Sequence, residues 1–297
     1  GLTRVVLVTG QAGLGKSRLI AHLADHAHAA GAMVLAGVCD SDLDVPYQPF
    51  AMAFDEVRSV DDDLALAIAD GAGPLGPLFP SRRQQRGGSG PSARFDLFDA
   101  VVKLLERLTQ DQPVVVVLED LHWATPPTVQ LLRHVVRYAT GARVLVLASY
   151  RAEEIGPGHP LNELLAEIRP GTAVSRIDLR PLDPDDVADL VRERVDDSLG
   201  DHVSAFAARV CDEGAGNPFF VCELLHHLAT TGELERLVQG DPSGRFAIPD
   251  SVRDIVGQRI GRLGTTSAEL LQVAAIIGQT FDVEVLAAVV DQEAEDV

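Results

Sequence analysis

The chain has 297 residues, 46% of them hydrophobic and 23% charged, which supplies enough apolar material for one core with smaller attachments and excludes a disordered or collagen-like polymer. Its 25 basic residues stand against 44 acidic ones, a net charge of −19. Such a field repels polyanions, so direct nucleic-acid binding is disfavoured, and any anionic ligand has to be held by a helix N-terminus, a few Lys or Arg side chains and a metal ion.

In chain order, residues 5–9 read as a buried strand, and after a glycine-rich turn the apolar spacing predicts a helix over 17–30. A second strand follows at 33–38 and a helix at 50–57. Residues 71–92 are dense in Gly, Pro, Ser and Arg and read as a mobile loop. A helix resumes over 95–108. The β-branched run 114–118 has the character of a central parallel strand, with a crossover helix at 125–138 and the next buried strand at 144–149. A helix at 161–168 and a strand at 176–179 complete an α/β alternation expected of an open, doubly wound parallel sheet.

Beyond Pro181 the pattern turns helical. Asp183 is a predicted N-cap for a helix to about residue 195, followed by helices at 203–212 and 219–230. Residues 234–248, interrupted by Asp241-Pro242-Ser243-Gly244, suggest a hairpin. Helices are expected at 251–263, 267–277 and 283–290. The division that results is a core at 1–180, a helical subdomain at 181–233 and a final region at 234–297.

Cys39, Cys211 and Cys222 are odd in number and share no C-x-x-C spacing, so they read as core thiols rather than a disulfide framework. No apolar run reaches the roughly 18 residues of a membrane span, and the chain opens directly on a strand. The expectation is a cytoplasmic piece of a larger protein, with no membrane partner.

The strongest chemical signal is Gly10-Gln11-Ala12-Gly13-Leu14-Gly15-Lys16-Ser17, a full G-x-x-x-x-G-K-[ST] motif between a strand and a helix. Glycines let the backbone wrap phosphates, and amide N–H groups at the helix start point at them. Lys16 is placed to neutralise the outer phosphates and Ser17 to offer its hydroxyl to Mg²⁺. Arg18 follows directly and is counted with the nucleotide-binding set. ATP or ADP with Mg²⁺ is the expected ligand. The strand 114–118 runs into Glu119 and Asp120, carboxylates at the strand's C-terminal end beside the phosphate site. Adjacent strand residues face opposite ways, so the two carboxylates divide their roles. Arg151, after the next strand, is a candidate sensor of the terminal phosphate, the alternative being a surface Arg paired with Glu153 or Glu154.

Weaker candidates stand beside these. His22 and His26 lie one helical turn apart, but a third ligand is missing and a solvated face is favoured. Arg82, Arg83 and Arg86 form a basic cluster able to reach a neighbour's nucleotide, although a solvated loop is the plainer reading. Ser89 does not complete G-x-S-x-G, because Pro91 stands at the last position. His122 and Trp123 read as packing residues rather than catalysts.

The glycine motif, Leu118-Glu119-Asp120-Leu121-His122-Trp123-Ala124, Ser149-Tyr150-Arg151 and Gly216-Asn217-Pro218-Phe219-Phe220 together resemble the signal-transduction ATPases with numerous domains, and within them the large ATP-binding LuxR-type transcriptional regulators. Ile248-Pro249-Asp250-Ser251-Val252 and the segment 274–281 extend the likeness into the last region. The resemblance implies an AAA-like core, a helical segment whose Asn217 and Pro218 touch nucleotide, and a winged-helix region, here truncated. It also implies Glu119 in the metal shell and Asp120 orienting water, with the reverse assignment open, since Asp is commoner than Glu at the first of these positions. ATP would then be a slowly hydrolysed switch ligand. The partners implied are sensor repeats and an output domain of the parent chain, and nucleotide-dependent self-association. The rival readings are a non-hydrolysing scaffold with permanent nucleotide and a small-molecule kinase, while an output through an attached cyclase or kinase stays open.

Overall fold

The computed structural model describes residues 3–41, 44–55, 57, 73–79, 91–168, 173–193, 202–234, 253, 257, 260, 265–277 and 282–290. The chain divides into two compact units, Gly1–Pro181 and Leu182–Val297.

The first unit is built on five strands: β1 (Arg4–Thr9), β2 (Met33–Val38), β3 (Val114–Glu119), β4 (Val144–Tyr150) and β5 (Val174–Asp178). They pair in the order β2-β3-β4-β1-β5, and every neighbouring pair is parallel. β3 is Val-Val-Val-Val-Leu-Glu with its first five residues buried, as a central strand covered on both faces should be. Its alternation divides the core in two. Val114, Val116 and Leu118 face one cluster, while Val115 and Val117 face another with Val8, Leu147 and Ile20.

Helix α1 (Lys16–Ala29) covers that second face through Ile20 and Ala24. The first face is covered by α2 (Gln48–Asp55), α3 (Pro91–Leu108), α4 (Pro126–Tyr138) and the short α5 (Leu161–Leu165). Phe50, Phe54, Leu97, Leu105, Leu131 and Leu132 are its largest contributions, each almost wholly buried. Gly37 in β2 permits the closest approach, since a Cβ there would lie 1.9 Å from the carbonyl oxygen of Pro49.

The chain leaves β1 toward β2 on one side of the sheet and leaves β4 toward β5 on the other. The connections therefore diverge above the C-terminal ends of β1 and β4, the place where open α/β sheets bind ligands. Register keeps these ends level: Thr9 pairs with Tyr150, Leu118 with Ala148 and Val38 with Glu119.

The sheet, its parallel sense and the flanking helices agree with the expected P-loop α/β class. Several boundaries differ. α3 begins at Pro91, inside the stretch expected to be a loop. Within that same stretch a 3₁₀ turn, Gly76–Leu78, buries Leu75 and Leu78 in the core, so this part is packed. α5 stops at Leu165 rather than residue 168, and β5 starts two residues before the expected 176.

The second unit contains α6 (Pro184–Arg192), α7 (His202–Glu213), α8 (Pro218–Thr230), α9 (Thr265–Ile277) and α10 (Val283–Val290). Asp183 caps α6 as expected: its Oδ1 accepts from the N–H of Asp185 at 3.0 Å and Asp186 at 2.9 Å, and Asp186 Oδ2 accepts in return from the Asp183 N–H at 3.1 Å. Val187, Val191, Phe206, Val210, Leu225 and Leu228 join α6, α7 and α8 in one core. The hairpin expected at 234–248 lies outside the described residues except Leu234, which packs in this core. The motif 248–252 and the arginines at 82, 83 and 86 also lie outside them, as does Ser89. Among the described residues Cys39, Cys211 and Cys222 are free thiols, the first two buried, and no helix is long and apolar enough to cross a membrane.

Candidate functional site: a glycine loop at the open edge of the sheet

β1 ends at Thr9 and α1 begins at Lys16, which leaves six residues to reverse the chain above the sheet. Gly13 and Gly15 make this possible with φ of 89° and 88°, values that strain any residue with a Cβ. α1 then starts without a side-chain cap and with no acidic residue in its first turn. Its positive end stays available to an anion.

Lys16 is buried to 8% exposure, and its Nζ curls into the loop, donating to the carbonyl oxygens of Gly10 at 2.6 Å and Gln11 at 3.0 Å. Burial lowers its pKa first, and the charge of Arg151 lowers it further, while Glu153, Asp120 and Glu154 oppose both. An ammonium surrounded by acceptors inside a glycine turn is suited to exchange those carbonyls for phosphate oxygens.

Ser17, one residue on, donates its Oγ–H to Glu119 Oε2 at the end of β3. Two groups 102 residues apart thus present hard oxygens side by side at the foot of the loop. This donor chemistry fits Mg²⁺, which takes one or two protein oxygens and keeps several waters.

Asp120 is held differently. Its backbone is left-handed, φ 57° and ψ 45°, and its N–H donates to Ser149 Oγ at 2.9 Å. The turn swings its carboxylate away from Glu119 toward His122, whose Nδ1 lies 3.8 Å from Asp120 Oδ1. Residues 121–123 form a 3₁₀ turn clamped by His159: His159 Nδ1 accepts from the Leu161 N–H at 3.1 Å, so its Nε2 carries the proton donated to the His122 carbonyl at 2.9 Å.

Arg151 leaves the end of β4 and pairs with Glu154, Nη1 to Oε1 at 2.6 Å, its guanidinium 5.4 Å from the Trp123 ring. Of the two carboxylates weighed as its partners, Glu154 is the one it meets. The other oxygen of Glu154 lies 3.5 Å from His122 Nε2. Burial lowers the pKa of His122, against the charges of Glu154 and Asp120. Cys39, past the end of β2, has its thiol pushed up to about 12 by burial and then by the Asp120 charge, and it stays protonated.

The first unit therefore brings together Gly10 to Ser17, Glu119, Asp120 and Arg151. Arg18 is exposed on α1. Asn217 and Pro218 belong to the second unit, where Asn217 Oδ1 accepts from the Phe219 N–H at 3.1 Å and starts α8, with Pro218 in its first turn. His22 and His26 lie on an exposed face with their rings tilted and the centroids 6.0 Å apart, and no cluster of three metal-ligating side chains occurs among the described residues. Sequence reasoning missed Ser149 as the anchor of Asp120, and His122 as a member of the charged layer. The spacing of Ser149 before Arg151 was the available signal for the first.

Comparison with known proteins bears on the same region. Residues 1–147 match the family model described as AAA ATPase domain, a stretch that includes the glycine loop, Glu119 and Asp120 and stops short of Arg151. That match supports the P-loop ATPase class for the first unit. A curated relative, an uncharacterised protein of Rhizobium meliloti (strain 1021), is 23% identical over 97% of this chain, which spans 29% of that protein's length. Among solved structures, a signal transduction ATPase with numerous domains, carrying a tetratricopeptide repeat sensor, from Pyrococcus horikoshii is similar at 16% identity and TM-score 0.46, over 99% of this chain and 35% of that one. A Walker-type ATPase of Pyrococcus abyssi is similar at 12% identity and TM-score 0.47, over 78% of this chain and 64% of that one.

Proposed function

We propose that the chain is an ATP-binding regulatory switch that hydrolyses its nucleotide slowly. The observation that carries this reading is the meeting of Ser17 and Glu119 at the foot of the glycine loop. It joins a phosphate cradle to a metal-side oxygen pair, while Asp120 is turned to a separate place by its left-handed backbone.

In the proposed mechanism the loop amides and the start of α1 grip the phosphates, and Lys16 exchanges the carbonyls of Gly10 and Gln11 for phosphate oxygens. Ser17 and Glu119 would hold Mg²⁺, which would supply neutralisation of the phosphate charge when bound. Asp120 orients water for attack on the terminal phosphorus. Arg151 exchanges Glu154 for the terminal phosphate in the ATP state and returns to Glu154 when that phosphate is gone. This change of partner is the differential interaction that a two-state switch requires.

The finer parts of the reading rest on the family resemblance. The module belongs to a longer regulator of the STAND kind, with transcription as its output in the LuxR-type manner, with sensor repeats and an output domain in the same chain, and with nucleotide-dependent self-association. Asn217 and Pro218 couple nucleotide to the helical segment, and the last region is a winged helix.

A thermal-shift titration tests the core of the proposal. MgATP at about a hundred times its dissociation constant should stabilise the fold by about 2.7 kcal/mol, and Lys16→Ala should abolish that gain. An equal shift in the variant would overturn the proposed site.

A further inference from the structure

Beneath the Asp120 turn lies an imidazole that the switch described above does not use. The His122 side chain has no solvent exposure, and neither ring nitrogen has a hydrogen-bond partner within bonding distance. A buried polar group in that condition costs stability unless the site has a use for it. Its two nitrogens face two different carboxylates just beyond bonding range: Asp120 from Nδ1 at 3.8 Å and Glu154 from Nε2 at 3.5 Å.

The rest of the turn is fixed. The His122 carbonyl is bound by His159, and its ring rests on Trp123 with centroids 4.5 Å apart. The imidazole and the two carboxylates are the groups left to exchange partners. Glu154 is shared, with Oε1 on Arg151 and Oε2 toward His122. An imidazole with one N–H can serve one carboxylate at a time. Whatever alters the hold of Arg151 on Glu154 alters which carboxylate His122 serves.

We propose that His122 is a positioning residue that couples the Arg151–Glu154 ion pair to Asp120. While Arg151 holds Glu154, His122 donates to Asp120 and occupies the oxygen that would orient water. When Arg151 moves to a terminal phosphate, the part-exposed Glu154 takes a proton from solvent and passes it to Nε2 while Nδ1 gives its own to Asp120, which returns it to solvent; the Nε2–H then serves Glu154, and Asp120 is released toward water. Nucleotide recognition by Arg151 and the readiness of Asp120 are then one event. The proposal rests on the switch reading and adds to it a residue in contact with neither nucleotide nor metal.

The test is a double-mutant cycle in the full chain, with MgATP and MgADP dissociation constants and single-turnover phosphate release measured for each protein. His122→Phe, which lifts the restraint on Asp120, should keep the MgATP dissociation constant within about threefold of the parent and release phosphate at least as fast as the parent. His122→Asn, whose amide donates to Asp120 whatever Glu154 does, should slow single-turnover release by about ten- to a hundredfold, the size of effect that outer-layer hydrogen-bonding partners have. Glu154→Gln should change the rate in the parent and leave it unchanged in the His122→Asn background.

Slowed release from His122→Phe, parental release from His122→Asn, or additive effects of Glu154→Gln and His122→Asn would each overturn the proposal. So would a parent that binds MgATP without releasing phosphate. If His122→Phe does not fold, the cycle built on His122→Asn decides alone. Failure of the switch reading shows elsewhere, as a parent that does not bind MgATP or a Lys16→Ala chain that binds it unchanged.

Discussion

Two neighbouring carboxylates at the end of one strand would point to opposite faces of the sheet if both continued the strand. They do not, because Asp120 leaves it with φ 57° while Glu119 stays in register with Val38. A non-glycine residue in that conformation is uncommon, Asp tolerates it better than most, and such outliers gather where a side chain has to be aimed. Glu119 meets Ser17, and Asp120 meets the Ser149 hydroxyl through its backbone and His122 through its side chain. The prediction at this scale is a division of phenotypes. Glu119→Gln should weaken Mg²⁺-dependent ATP binding tenfold or more, about 1.4 kcal/mol, with little change in the Mg²⁺-independent component. Asp120→Asn should bind MgATP like the parent and lose about 10²- to 10⁴-fold in single-turnover hydrolysis. Calorimetric titration with and without Mg²⁺, beside quenched-flow release, separates the two, and exchanged phenotypes would reverse the assignment of roles.

Elements carry their own stability signals, and α6 is the plainest. Asp183 and Asp186 form a reciprocal pair of backbone hydrogen bonds at its start, Pro184 occupies the first turn, and Val187, Ala188 and Val191 face the core. Asp183→Ala should destabilise the second unit by about 1 kcal/mol, and Asp183→Asn by much less, because Asn accepts the same N–H bonds. Urea unfolding followed by helical circular dichroism measures the difference, and equal losses from both substitutions would show that the cap is not what matters. This helix was legible in the sequence because capping chemistry is local. The central strands were legible for a related reason: a run such as Val114 to Val117, buried on both faces, has few other homes. β5 was misplaced by two residues because it is an edge strand whose last four residues are exposed, so hydrophobicity marks neither of its ends. The start of α3 was missed because Pro91 reads as loop punctuation, although proline suits a first helical turn. The glycine loop announced its site because a single peptide supplies every group. The layer of His122, Glu154 and Arg151 did not, since the contacts between His122 and Glu154 depend on where the ends of β3 and β4 come level.

At the scale of the whole molecule, a net charge of −19 surrounds a site proposed to hold an anion. The loop resolves this contradiction locally, with an uncapped helix start and a buried ammonium, so binding at contact range is favourable while approach from a distance is opposed. These two ranges respond differently to salt. The Debye length falls from about 30 Å at 0.01 M to about 8 Å at 0.15 M, which screens the diffuse repulsion and leaves buried contacts nearly untouched. The association rate constant of MgATP should therefore rise about threefold or more across that interval, the reverse of electrostatic steering, while the dissociation rate stays nearly constant. Trp123 supplies the signal, being the single tryptophan of the chain and lying 5.4 Å from the Arg151 guanidinium that is proposed to change partners. Stopped-flow fluorescence across a salt series reads both rates. An association rate that falls with salt would mean that the positive groups at the loop dominate the field well beyond contact, and that the acidic surface has no part in gating nucleotide entry.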